Sequence, residues 1–237
     1  MKIEKTLQQG ILVRRYKRFL ADIQTPGGET LTIHCPNTGS MKNCQQPGSR
    51  VWYTDSGNRQ RKYPHTWQLV ETRGGHRVGI NTGLANDLVE EALRAGLIDP
   101  LAGFEKLRRE VPYGEQRSRI DILLESPGQP PCYVEIKNVS LADEDGHGLF
   151  PDAVTSRGQK HLQELIHMQE SGARAALVFC VQHTGVASVS PADDIDPEYG
   201  RLLRQAMAAG VSVFALGADI DLDVPSITLC RKLPVTT

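Results

Sequence analysis

Cysteine is scarce in this chain of 237 residues. The five cysteines, Cys35, Cys44, Cys132, Cys180 and Cys230, are odd in number and never spaced as CxxC. A disulfide framework and the usual structural zinc sites are therefore excluded, and a reducing compartment fits. The seven histidines are scattered, with no HxxxH pair. No run of about 18 apolar residues occurs, so no membrane-spanning helix is expected. Met1-Lys2-Ile3-Glu4-Lys5 has no apolar stretch behind it. A secretory leader is thus not expected, and a cytoplasmic location is. Internal repeats and low-complexity tracts are absent. Aromatic residues make up only 5% of the chain, and none cluster into a sugar-stacking platform.

Neither sign of charge dominates overall, since the formal net charge is −1. The distribution is uneven, however. Residues 1–80 hold 13 Lys+Arg against 5 Asp+Glu, a net of +8, and the remainder hold 14 against 23, a net of −9. Such asymmetry suggests a polyanion-binding module joined to a different unit.

Residues 11–80 read as β. Strand-like runs at 11–23, 29–34, 50–54, 66–72 and 77–80 are separated by turn signals such as Pro26-Gly27-Gly28 and Pro47-Gly48. Five short strands suit a small closed barrel, of the OB type first and of the SH3-like type nearly as well on pattern alone. Phe19 and Trp67 read as its filling. If 11–23 is one strand, Arg14, Tyr16 and Arg18 share a face, a pattern that binds phosphates and stacks a base. Arg61 and Lys62, beside Tyr63, repeat it. Pro36-Asn37-Thr38-Gly39-Ser40-Met41 is a turn able to present backbone N–H groups to a phosphate.

From residue 81 the pattern changes. Helices are expected over 81–95, 156–170 and 197–209, with Ser156 and Gln159 at capping-box spacing. Strands are expected at 106–113, 119–125, 132–139, 175–181 and 211–216, and a loop over 143–154. The continuous apolar run Ala175–Val181 marks a buried strand. The segment 201–220 loosely matches a helix-turn-helix, but its second half is β-like. The expected architecture is α+β in two domains: residues 1–80 as an OB-like barrel and residues 81–237 as an α/β unit with a central mixed sheet.

Asp121 and Glu135-Ile136-Lys137 carry the sharpest chemistry. Glu135 and Lys137 are two apart on one strand and so share a face. If 119–125 and 132–139 pair as a hairpin, Asp121 approaches them. Two carboxylates suit a hard divalent cation, and such a cation with a lysine forms a phosphodiesterase site. This Asp…Glu-x-Lys arrangement, with its order of helix, three strands, helix and strand, resembles the PD-(D/E)XK nuclease superfamily. That resemblance implies Asp121 and Glu135 as ligands of Mg²⁺ or Mn²⁺ and Lys137 as the catalytic lysine. A further acid is usual, with Glu110 the first candidate and Glu90 or Glu91 the alternatives. Arg157, Lys160 and His161, at a helix N-terminus, are candidates for contact with DNA near the metal, with His161 otherwise a packed histidine or a general base.

Longer blocks carry a closer resemblance. Tyr16-Lys17-Arg18-Phe19-Leu20-Ala21-Asp22, His34-Cys35-Pro36-Asn37-Thr38-Gly39, Ser118-Arg119-Ile120-Asp121 and Phe150-Pro151-Asp152-Ala153-Val154-Thr155 are similar to the sugar fermentation stimulation protein A family. The resemblance implies an OB-like domain followed by a restriction-endonuclease-like domain. It also implies sequence-non-specific DNA binding and a regulatory link to maltose metabolism. A metal-dependent nuclease is the alternative activity.

Overall fold

The computed structural model describes residues 1–115 and 118–237. The first half is a closed barrel. Its strands are β1 (Gln8–Tyr16), β2 (Leu20–Gln24), β3 (Thr30–His34), β4 (Arg50–Asp55) and β5 (His65–Glu71), with β6 (Arg77–Gly79) added at one edge. The order is β3-β2-β1-β4-β5-β6, and pairing of β3 with β5 at His34 and Thr66 closes the ring. Leu12, Ile23, Ile33, Val51 and Trp67 fill it. Trp67 is fully buried and donates its indole N–H to Leu69 O at 2.8 Å.

The expected strand 11–23 is two strands. Lys17 and Arg18 take φ of 50° and 64°, and the chain reverses there. Both lie in the three-residue connection 17–19 between the paired Tyr16 and Leu20. The sequence carries no Gly or Asn at this point to announce the reversal. Phe19 consequently sits at the tip, 44% exposed, and does not fill the barrel.

The second half is built on a six-stranded mixed sheet of order β15-β14-β12-β9-β8-β7. Its members are β7 (Lys106–Tyr113), β8 (Ser118–Glu125), β9 (Cys132–Val139), β12 (Arg174–Val181), β14 (Ser212–Asp221) and β15 (Ser226–Leu233). A small sheet joins β10 (Leu141–Ala142), β11 (His147–Phe150) and β13 (Ser188–Pro191). The expected loop 143–154 thus contains a strand, secured by parallel pairing with β13. Helix α1 (Ala85–Arg94) covers one face of the large sheet; α2 (Ser156–Glu170) and α3 (Pro197–Ala208) cover the other. β12 lies between two parallel neighbours under both layers, which is why seven of its eight residues are buried. After α3 the chain enters β14, so a helix-turn-helix is absent at 201–220. No helix among the described residues is long and apolar enough to cross a membrane.

Two clamps set the position of α2. Thr155, not Ser156, is its N-cap and accepts from Gly158 N at 3.0 Å. Asp196, the N-cap of α3, also accepts from Thr155 N at 2.9 Å and Gln159 Nε2 at 2.8 Å. Gln159 therefore reaches α3 instead of closing a capping box.

The two halves are sutured by backbone and side-chain bonds. Gly79 N donates to Gln182 O at 2.7 Å, and Asn43 Nδ2 to Ala142 O at 3.0 Å. The Pro36–Met41 turn does present an N–H to an anion, but the anion is Asp152: Met41 N and Ser40 Oγ both reach Asp152 Oδ2 at 3.3 Å. Gly39 lies so close beneath that a Cβ would collide with the Asp152 carboxylate. Gly39→Ala is expected to cost about 1–3 kcal/mol, the usual range for overpacking. Urea denaturation measures it, and an unchanged midpoint would show that the turn is not wedged against Asp152.

Candidate functional site

β8 and β9 pair antiparallel from Leu124–Cys132 through Ile122–Val134, and there the ladder stops. Beyond that point Ile136 N donates to Asp121 Oδ2 at 2.7 Å, so a side-chain carboxylate stands in for a strand carbonyl. Asn86, in the first turn of α1, donates to Asp121 Oδ1 at 3.0 Å. On its other edge β9 stays in register with β12 from Cys132 to Val139, which keeps it extended through the split. Alternation then divides its residues. Val134 and Ile136 join the α1-side core, while Glu135 and Lys137 face the side of α2.

Glu135 is 2% exposed. Its Oε1 accepts from Lys137 Nζ at 2.7 Å and contacts His161 Nδ1, while Oε2 is buried and has no partner. Burial pushes the Glu135 carboxyl up, but the bonds from His161 and Lys137 outweigh it and hold the group below the usual carboxylate range. Asp121 moves the other way. Burial and the neighbouring Glu135 charge raise it, and the bonds from Ile136 and Asn86 offset only part of this. The Tyr199 hydroxyl, fully buried and also without a partner, is pushed well up by burial and by the Glu135 charge.

Glu110 lies opposite Asp121 in the β7–β8 register, between the pairs Arg109–Ile122 and Val111–Ile120. Its φ of 53° interrupts regular pairing at that point. Left-handed backbone costs a non-glycine residue about 1–2 kcal/mol, a strain that gathers at functional sites. Glu110 is exposed and lines a groove of about 290 Å³ with Ser118, Arg119, Arg157, Lys160 and His161. The expected cations Arg157 and Lys160 thus come to the same groove as Glu110. The other acidic candidates are engaged elsewhere. Glu90 pairs with Arg94 and Arg109, and Glu91 with the N-terminal ammonium.

The donor set suits a hard cation. Glu135 Oε2 is an orphaned buried oxygen, and Asp121 supplies a second carboxylate. Among the described residues three His, Cys, Asp or Glu side chains converge within 4.8 Å only at the exposed set Asp143, Asp145 and His147. An ion at Asp121 and Glu135 would complete its shell with water or other oxygen donors, and Mg²⁺ commonly keeps several waters.

On the barrel, the expected alignment of Arg14, Tyr16 and Arg18 is not found. Arg18 belongs to the hairpin turn, because the chain reverses before it could continue the strand. Arg14 and Tyr16 converge on Asp22, which is 6% exposed: Arg14 Nε donates to Oδ2 at 2.8 Å, and Tyr16 OH and Thr32 Oγ1 donate to Oδ1 at 3.1 and 2.7 Å. The Arg14 guanidinium covers the Tyr16 ring at 4.9 Å. Arg14 is thus compensated, not a free cation. Arg61 and Lys62 lie exposed on the β4–β5 connection, with Lys62 Nζ 5.6 Å from the Tyr63 ring centre.

Sequence reasoning brought His161 to the neighbourhood of the metal, as a DNA contact, a general base or a packed histidine, but not to Glu135, which it contacts. The burial phase of His161 with Gly158, Leu162 and Leu165 was the available signal. Asn86, which braces Asp121, left no signal at all.

Comparison with known proteins agrees with this architecture. Residues 13–80 match the family described as the SfsA N-terminal OB domain, and residues 83–224 the sugar fermentation stimulation protein RE domain. The chain is 58% identical over 215 residues to a sugar fermentation stimulation protein homolog of Shewanella frigidimarina, covering 91% of this chain and 92% of that one. It is 59% identical over 220 residues to the homolog of Thioalkalivibrio sulfidiphilus, covering 93% and 92%. A solved structure, Pyrococcus furiosus SfsA in complex with Ca²⁺, superposes over the full length of both chains with a TM-score of 0.86 at 28% identity.

The raised Asp121 carboxyl has a consequence for stability. The folded protein holds this proton to higher pH than the unfolded chain does. Asp121 therefore lowers stability progressively as pH rises through the carboxylate range. Asp121→Asn keeps an acceptor for Ile136 N and removes the buried charge. In metal-free buffer the variant is expected to be more stable than the parent at neutral pH, with the difference shrinking towards about pH 4, near the ordinary carboxyl range. Urea midpoints at the two pH values check this, and a variant with no gain at neutral pH contradicts it.

Proposed function

Because the chain belongs to the sugar fermentation stimulation protein family, we propose that it is a DNA-binding protein, largely indifferent to sequence, with a metal-dependent phosphodiesterase site of PD-(D/E)XK type. One observation carries the reading: where β8 and β9 part, Asp121 binds Ile136 N between Glu135 and Lys137, and His161, which contacts Glu135, lines a groove that also holds Arg119, Arg157 and Lys160. A protein that had no use for the site would gain by losing it. Unpaired buried carboxyl oxygens are costly, and a buried ion pair is often no better than an apolar replacement.

Asp121 and Glu135 would hold Mg²⁺ or Mn²⁺, which supplies a polarised phosphoryl oxygen and an activated water. The relative from Pyrococcus furiosus is described in complex with Ca²⁺, another hard, oxygen-seeking cation, and this favours an ion of that class here. Lys137, with a side chain 13% exposed, keeps its ammonium beside Glu135 and can stabilise charge developing on a phosphodiester. Arg157 and Lys160 line the groove where flanking phosphates would lie. The barrel adds Arg18, Arg61 and Lys62, with the exposed Phe19 and the half-buried Tyr63 as stacking surfaces. A regulatory role in sugar metabolism is in keeping with the family's name, and maltose is the sugar that the sequence resemblance implies.

A second reading is a binding protein that uses this fold without cutting. It is favoured by the engagement of Lys137 with Glu135 and by the absence, among the described residues, of a third His, Cys, Asp or Glu ligand converging on Asp121 and Glu135.

Labelled single- and double-stranded DNA incubated with Mg²⁺ or Mn²⁺ distinguishes the two. Cleavage is expected from the wild type, reduced at least about 100-fold in Asp121→Ala and in Lys137→Ala, the scale for losing one transition-state contact. Binding without cleavage, the same in all three proteins, would support the second reading. For the barrel, replacing Arg61 and Lys62 together by alanine is expected to reduce the slope of log affinity against log salt by about two. An unchanged slope would remove these residues from the interface.

A further inference from the structure

We propose that His161 is a positioning residue that orients Glu135 and leaves Oε2 as its free ligand oxygen. The inference rests on the reading of Asp121 and Glu135 as a metal site.

The argument begins with hydrogen-bond polarity. Arg157 stands one turn before His161 on α2, and its Nε lies 3.4 Å from His161 Nε2. A guanidinium has no acceptor, so Nε2 must accept. A neutral imidazole then carries its hydrogen on Nδ1, the atom that meets Glu135 Oε1. Lys137 Nζ is 2.7 Å from the same oxygen. The 3.2 Å approach of Lys137 Nζ to His161 Nδ1 is thus that of two donors sharing one acceptor. Oε1 is doubly held, and Oε2 is buried without a partner. A carboxylate fixed through one oxygen presents the other in a set direction.

The support behind His161 is rigid. Its side chain is 7% exposed. α2 is anchored by the Thr155 cap and by Asp196, which is 1% exposed and binds residues of both α2 and α3. The imidazole therefore transmits the placement of a helix to a carboxylate on a neighbouring strand. Lys137 cannot supply this alone. It extends from the same strand as Glu135, on a flexible four-carbon stem. Groups that orient a ligand in this way typically change metal affinity 10–100-fold when removed.

Calorimetric titration of Mn²⁺ into the full-length protein, without DNA, tests the inference. The proteins are wild type, His161→Leu, His161→Asn, His161→Gln and Asp121→Ala. An asparagine amide falls where Nδ1 stands, whereas a glutamine amide falls nearer Nε2. Wild type is expected to bind Mn²⁺ in a manner that depends on Asp121. His161→Leu is expected to weaken binding about 10–100-fold. His161→Asn is expected to recover most of the loss, and His161→Gln little of it. Should the leucine variant fail to fold, the asparagine and glutamine pair decides alone. Asp121-dependent binding that is equal in wild type and the leucine variant, or equal recovery by asparagine and glutamine, overturns the positioning role while sparing the metal site. Wild type that takes up no Mn²⁺, or an Asp121→Ala protein that binds as wild type does, removes the metal reading and this inference with it.

Discussion

The hydrogen bond from Ile136 N to Asp121 is the pivot of the second half of the molecule. A sheet can open only where its backbone groups find other partners, because an orphaned buried N–H costs on the order of a lost hydrogen bond. Asp121 provides that partner, and so lets β8 leave β9 while β12 holds β9 straight on the other side. The gap this creates admits Glu135 and Lys137 from one strand and His161 from the facing helix. Asp121 thereby has a structural task that is independent of any ion, and its raised carboxyl reflects that burial. The strained backbone of Glu110, directly across the other edge of β8, marks the same residue from the opposite side.

Composition hinted at a basic barrel, but position decides which of its charges count. Asp22 pairs with Arg14 and accepts from the Tyr16 hydroxyl, and the Arg14 guanidinium lies over the Tyr16 ring, so Arg14 is compensated within the barrel. Arg15 is also engaged, donating to the carbonyls of Arg18, Asn37 and Gly39 at 2.7, 2.9 and 2.9 Å. It ties the β1–β2 tip to the turn that receives Asp152. Formal charge in this half is therefore partly internal wiring. The exposed remainder sits at the loop tips, with Arg18 on one connection and Arg61 and Lys62 on another.

What could be read in advance follows from how local each signal is. The buried run Ala175–Val181 and the hairpin of β8 and β9 announce themselves through composition and turn residues. So does the shared face of Glu135 and Lys137, since strand period alone fixes it. The reversal at Lys17 and Arg18 was hidden because nothing in those side chains prefers positive φ; the pairing of Tyr16 with Leu20 imposes it. β14 continues past Leu216 through Gly217, Asp219 and Asp221, residues of poor strand propensity, because β15 pairs along them. The role of His161 depends on how α2 docks on the sheet, and no window of sequence contains that information.

The first few residues carry a topological meaning. Lys2 bridges Ser226, Ile3 N donates to Pro225 O at 2.8 Å, and Ile227 N donates to Met1 O at 3.0 Å. The chain therefore starts on the second unit, travels out to build the barrel, and returns. In effect the barrel is an insertion, fastened at its entry as well as at its exit. A body hinged by a single linker can swing freely; one held by two strands of backbone cannot turn without peeling an edge from the sheet that carries Glu135. The barrel's loop tips and the groove at the strand split thus keep a fixed bearing on one another, so any polymer that touches both meets a track of set length and direction.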